Sequence, residues 1–218
     1  MEIYLSEKLG NITYVIEDTP ISESVLILAH GAGAGMDHPF LTSLSQLICD
    51  AGVSVVRFNF PYMEKGRKAP GSGSPKDAIF CWDRIILEVN KMFHDKKIII
   101  SGKSYGGRMA SHLLSVNHEL DVHGIIYFGF PLHAPGRDSK DRASHLDQIK
   151  VPQLFLQGTR DKLANIDMIR EVISDLDNAQ IMEIESGDHS FNVPKSIASK
   201  DVIMKRLAHE AANWISGI

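Results

Sequence analysis

The sequence predicts an α/β architecture, a doubly wound and mostly parallel sheet with helices on both faces. Three observations carry this. Short, nearly continuous apolar runs rich in β-branched residues recur along the 218 residues, the pattern of strands buried on both faces. Longer stretches with helical spacing separate them, as in an open sheet built from right-handed crossovers. No internal repeat or long linker divides the chain, and its length suits one α/β domain over residues 1–218.

From the N-terminus, residues 1–5 and 11–17 are read as an antiparallel hairpin at one sheet edge. Residues 25–30 (V-L-I-L-A-H), closed by glycines, form the first buried strand. Residues 53–60, ended by Pro61, are the second, and 97–101 (K-I-I-I-S) the third. Residues 123–130, ended by Pro131, then 151–157 and 180–185 complete the set. Between strands, 78–93 repeats apolar residues at Ile79, Trp82, Ile85, Ile86, Val89 and Met92, one buried helix face. Residues 196–215 do the same through Ile203, Leu207, Ala211 and Trp214. A helix after position 104 carries Met109, Leu113 and Val116 on one face. The loop-rich stretch 61–75, with its glycines, prolines and basic residues, is expected over the site face.

Composition narrows the function. Hydrophobic residues make up 44% and charged residues 23%, ordinary for a globular chain. A net charge of -4 argues against a nucleic-acid partner, which needs a basic patch. The Lys65–Lys68 cluster reads as a solvated loop. Cys49 and Cys81 lie in apolar helical patterns and read as small buried hydrophobes, fitting a reducing compartment rather than a disulfide or metal site. Residues 1–10 carry two acids and no apolar segment, unlike a secretory signal. No run approaches the roughly 18 apolar residues of a membrane span. A cytoplasmic protein is expected, and no feature specifies an oligomer.

Gly102-Lys103-Ser104-Tyr105-Gly106 matches G-x-S-x-G. Five residues alone say little, but an apolar strand runs into them and a helical pattern runs out, the context the motif requires. The backbone turns so sharply at the serine that its glycine neighbours must lack a Cβ. Gly106 and Gly107 also let the helix approach the sheet. The helix N-terminus then aims free N–H groups where negative charge develops.

A serine hydroxyl needs a base. Among ten histidines, His189 follows the strand 180–185, at the sheet end that carries Ser104. Asp161 follows the strand 151–157 and can orient that base. Ser104, Asp161, His189 is the chain order of a known triad arrangement, in which serine attacks, histidine moves the proton and aspartate fixes the imidazole. Asp138 and Asp141 are rival acids; Asp188 adjoins His189 too closely to reach its ring. His30 reads as structural, and His38 either lines the pocket or is solvated. In His30-Gly31-Ala32-Gly33-Ala34-Gly35, small residues allow a tight fold that presents N–H groups to a substrate oxygen. Tyr105 N–H and the Ala32 region are the expected oxyanion donors.

These pieces, with Gly158-Thr159-Arg160-Asp161 and Gly187-Asp188-His189, resemble the α/β-hydrolase superfamily from about residue 25 to 215. Within it the compact form and the H-G-A-G-A-G start resemble small dienelactone-hydrolase-like proteins and the testis-expressed protein 30 type. The resemblance implies a hydrolase fold and triad and little about substrate. Many members insert a helical cap where this chain has only about twenty residues, 131–150, so an open site without a lid is expected.

Other motifs fail. A G-x-G-x-x-G reading would need glycine at Met36, and no acid follows at the proper distance. A P-loop would need glycine at Lys97. No histidine pair has metal-ligand spacing. The sequence therefore predicts a cofactor-free serine hydrolase acting on a small-molecule ester, thioester or related acyl bond. The alternatives are a non-catalytic scaffold that retains the fold, or a small peptidase.

Overall fold

Apolar alternation on both faces builds a sheet with two cores. The computed structural model describes all 218 residues. Its strands are β1 (Glu2–Ser6), β2 (Gly10–Glu17), β3 (Ser24–Ala29), β4 (Ser54–Phe58), β5 (Lys97–Lys103), β6 (Gly124–Phe128), β7 (Gln153–Gly158) and β8 (Ala179–Ile184). They form one sheet in the order β1-β2-β4-β3-β5-β6-β7-β8. β3 to β8 are parallel; β1 and β2 form the expected antiparallel hairpin, and β2 joins β4.

In β3, Val25, Ile27 and Ala29 face one core while Leu26 and Leu28 face the other. β5 repeats this with Ile98 and Ile100 against Ile99. Helices α1 (Pro39–Asp50) and α6 (Lys200–Ser216) cover one face. Helices α3 (Ser74–Met92), α4 (Tyr105–Leu114) and α5 (Ile166–Ser174) cover the other, and a short α2 (Pro61–Glu64) precedes them. Each fully buried Leu, Ile or Phe contributes about 1.5–3 kcal/mol, so the two layers supply most of the stability. Trp82 of α3 is fully buried and packs edge-on to Phe58 at 4.9 Å. Its Nε1 donates to the Gly106 carbonyl at 3.1 Å, which fixes the start of α4.

The chain leaves β3 for β4 on one side and returns to β5 on the other, so the strand order reverses between β3 and β5. Crevices open at the carboxyl ends of strands at such a reversal. Ala29 lies opposite Gly102 in register, so the Ala32 loop and Ser104 emerge side by side there.

Several expectations shift. β5 extends to Lys103, because Gly102 and Lys103 still pair with Tyr127 and Phe128. α3 begins at Ser74, earlier than its apolar pattern; Pro75 is tolerated in the first turn, where its missing N–H is not needed. Val116 does not join the buried face of α4. The helix closes when the Val116 and Asn117 N–H groups both turn onto the Leu113 carbonyl, leaving Val116 exposed. Cys81 is buried, but Cys49 is only half-buried, beside the inward stripe of Leu41, Leu44 and Ile48. Residues 131–150 hold two single 3₁₀ turns, Asp141–Ala143 and Leu146–Gln148, and no cap. The 61–75 stretch contains α2 and the start of α3, and its Lys68 carbonyl packs against Gly33. No helix is long and apolar enough to cross a membrane.

Candidate active site

Ser104 sits between β5 and α4 with φ 51° and ψ −110°, a conformation that L-residues adopt only under constraint. Its neighbours supply the constraint. A Cβ on Gly102 would overlap the Gly107 nitrogen, and one on Gly106 would stand 2.6 Å from the His30 carbonyl oxygen. The motif glycines are therefore required by close backbone approach.

His189 lies in the loop between β8 and α6, and Asp161 in the turn after β7. Gly158 brings these turns together, since a Cβ there would overlap the Gly187 carbonyl. Arg160 N–H donates to Gly187 O at 2.8 Å, and Ser186 N–H to Thr159 Oγ1 at 2.8 Å. The result is a continuous hydrogen-bonded chain. His189 Nε2 is 2.9 Å from Ser104 Oγ, and His189 Nδ1 is 2.7 Å from Asp161 Oδ2. Asp161 is 6% exposed, and both of its carboxylate oxygens accept hydrogen bonds. Besides His189, Oδ2 accepts from Gln157 Nε2 at 2.7 Å, and Oδ1 accepts from Leu163 N–H at 2.7 Å. With Nδ1–H held by the carboxylate, Nε2 is left as an acceptor toward the serine hydroxyl.

The rival acids stand elsewhere. Asp138 accepts from Asn165 Nδ2 at 3.2 Å, and Asp141 is exposed at the head of a 3₁₀ turn. Asp188 shapes the loop by accepting from Ser190 and Asn192 N–H at 2.8 and 2.9 Å. His38 caps α1, its Nδ1 accepting from Phe40 N–H at 3.2 Å, and also lines the pocket.

That pocket, about 560 Å³, opens over Ser104 and His189. Its walls include the 31–34 loop, apolar Phe40, Leu41 and Leu163, and the cations Lys103 and Lys200. Ala32 N–H donates to no group of the chain. Tyr105 is the first residue of α4, where an N–H has no partner within the helix. Both expected donors thus stand at the mouth of the β3/β5 reversal.

Under this loop, His30 is fully buried and structural. Its Nε2 accepts from Phe60 N–H at 3.0 Å and its Nδ1–H donates to Gly31 O at 2.8 Å. Burial pushes the imidazole down to about 4 from 6.5, opposed by the Gly31 bond and by Glu64. The unfolded chain therefore takes up a proton here before the folded chain does. Stability is full above about pH 6.5 and is lost as pH falls toward 4, by roughly 3 kcal/mol from this group. His145, pushed down to about 4 by burial and then by His112 and Arg108, adds in the same direction. Urea unfolding should show the decline between pH 7 and 4.5, and His30→Asn should remove His30's share of it while leaving that of His145.

Two contributors were missed in the sequence. Gln157 holds Asp161 and accepts from Phe130 N–H at 2.9 Å; a polar residue ending an apolar strand was its only signal. Lys103 reads as an unconstrained motif position, yet its Nζ donates to the His189 carbonyl at 2.6 Å.

A family model described as an alpha/beta hydrolase domain matches residues 22–216. Solved structures share the fold at low identity. A dienelactone hydrolase from Anabaena variabilis is 17% identical with a TM-score of 0.76, covering 100% of this chain and 95% of its own. An alpha-beta serine hydrolase homologue from Coxiella burnetii is 17% identical at 0.75, covering 98% and 96%. A serine hydrolase without a lid from Xanthomonas campestris is 17% identical at 0.71, covering 98% and 94%.

Proposed function

The chain belongs to the alpha/beta hydrolase domain family, and from that premise we propose that it is a serine hydrolase cleaving an ester, thioester or related acyl bond of a small molecule. The relay from Asp161 through His189 to Ser104, at the floor of an open pocket, is the observation that carries this reading. Ser104 Oγ attacks the acyl carbon as its proton passes to His189 Nε2. Asp161 keeps the Nδ1–H tautomer and stabilises the imidazolium. The N–H groups of Tyr105 and Ala32 receive the developing oxyanion, each worth on the order of 10²-fold in rate. The imidazolium then protonates the leaving group, and water, activated by the same histidine, releases the acid from the acyl-enzyme. Each step uses only protein groups and water.

With no cap over 131–150, the open rim leaves short acyl groups free to reach Ser104. A fluorophosphonate probe tests the reading: it should label Ser104 of the intact protein, and short p-nitrophenyl esters should be turned over with a burst of nitrophenol. A folded protein that takes no label and turns over no ester would instead be a scaffold that keeps the fold.

A further inference from the structure

We propose that Lys103 is a positioning residue for this reaction, holding the main chain of the His189 loop where the imidazole reaches Ser104. The inference rests on the relay reading of Ser104, His189 and Asp161. Lys103 ends β5, one residue before the serine, and its half-buried side chain runs under the opposite loop. The 2.6 Å bond from Nζ to the His189 carbonyl is the only hydrogen bond that the His189 main chain makes. The ammonium also lies 5.4 Å from the centre of the Phe191 ring, a cation–π contact on the far side of the histidine.

The loop needs such a tie. Ser186 and Phe191 flank His189 at φ 56° and 60°, left-handed conformations that cost about 1–3 kcal/mol each unless the surroundings enforce them. The Arg160 and Thr159 bonds anchor the loop to β7, but only before His189. Lys103 alone joins the histidine's own backbone to the strand that carries the nucleophile. A charge-assisted bond is about twice as strong as a neutral one, so the hold depends on the ammonium. The charged groups facing it are Asp161 after β7 and Asp188 in the loop. Burial pushes the ammonium down to about 8, against the pull of these two carboxylates. The charge is therefore present at neutral pH and is lost as pH rises through about 8.

The test compares wild type, Lys103→Met and Lys103→Arg with p-nitrophenyl acetate across pH. Misplacing a catalytic group by about 1 Å costs on the order of 10²-fold, so Lys103→Met should lower kcat by about 10- to 100-fold with little change in KM. Lys103→Arg should recover most of the loss. Wild-type kcat should fall above pH 8, and the arginine variant should hold its rate to higher pH. Wild-type kcat that rises above pH 8, with the rise abolished in Lys103→Met, would mean that the cation opposes imidazolium formation, and would overturn the proposal. So would an unchanged kcat in the methionine variant.

A readout without substrate separates this from the hydrolase reading. The downfield proton NMR signal of the His189–Asp161 bond should be sharp in wild type, broadened in Lys103→Met and restored in Lys103→Arg. That pattern in a protein without turnover would sink the hydrolase reading and leave the positioning role standing. A signal indifferent to both substitutions would sink the positioning role.

Discussion

Ser104→Ala should abolish fluorophosphonate labelling and lower kcat for p-nitrophenyl acetate by about 10⁴- to 10⁶-fold, while the protein stays folded. The size of the loss follows from how the relay works. His189 and Asp161 have no function without an oxygen to deprotonate, so removing the nucleophile removes the whole unit at once. What remains is background hydrolysis aided by the oxyanion donors and by substrate binding. The fold should tolerate the change for a specific reason. Alanine carries the same Cβ as serine, so the φ of 51° at position 104 costs it no more than it costs serine. The hydroxyl's one hydrogen-bond partner is His189, which is partly exposed and can bond water instead. The expected stability change is within about 1 kcal/mol, and thermal unfolding beside the kinetics would detect a larger one. Full labelling of the alanine variant would show that the probe reacts elsewhere.

The fold and the close approach of Ser104, His189 and Asp161 were legible because each depended on local rules. Strands buried on both faces need unbroken apolar runs, and those runs stand out in β3, β5 and β6. The serine's turn needs glycines at fixed spacing, and the acid and base fall at ends of later parallel strands, which must share one side of the sheet. Element ends were less legible. The two-residue extension of β5 reflects pairing with β6, which is long-range information. Val116 fell outside its helix because a hydrogen-bonding choice at Leu113, not hydropathy, ends α4. Gln157 and Lys103 escaped notice for the same reason. Their roles depend on carbonyls and carboxylates distant in sequence, and neither residue type announces such a partner. Lys103 in particular occupies a motif position that the local rule leaves free.

Asp161→Asn should lower kcat by about 10³- to 10⁴-fold with a smaller effect on KM, because the carboxylate's surroundings are built only of donors. Oδ2 faces Gln157 Nε2 and His189 Nδ1, and Oδ1 faces Leu163 N–H. An asparagine must turn its NH₂ group toward one side or the other. Toward Leu163, it sets donor against donor in a site that is 6% exposed, leaving buried N–H groups unpaired at about 1–3 kcal/mol. Toward His189, it forces the imidazole to present Nδ1 as an acceptor, which moves the ring proton to Nε2. The ring then donates to Ser104 and cannot accept its proton. Either orientation also removes the negative charge that stabilises the imidazolium. Wrong-tautomer losses of this kind reach about 10⁴-fold in a serine protease triad. The substitution should therefore separate two quantities that Ser104→Ala leaves joined: the serine hydroxyl survives, so slow fluorophosphonate labelling should persist. Raising the pH should recover part of the rate, since hydroxide can take over the proton that His189 no longer accepts. A variant that keeps its full rate at neutral pH would remove Asp161 from the relay.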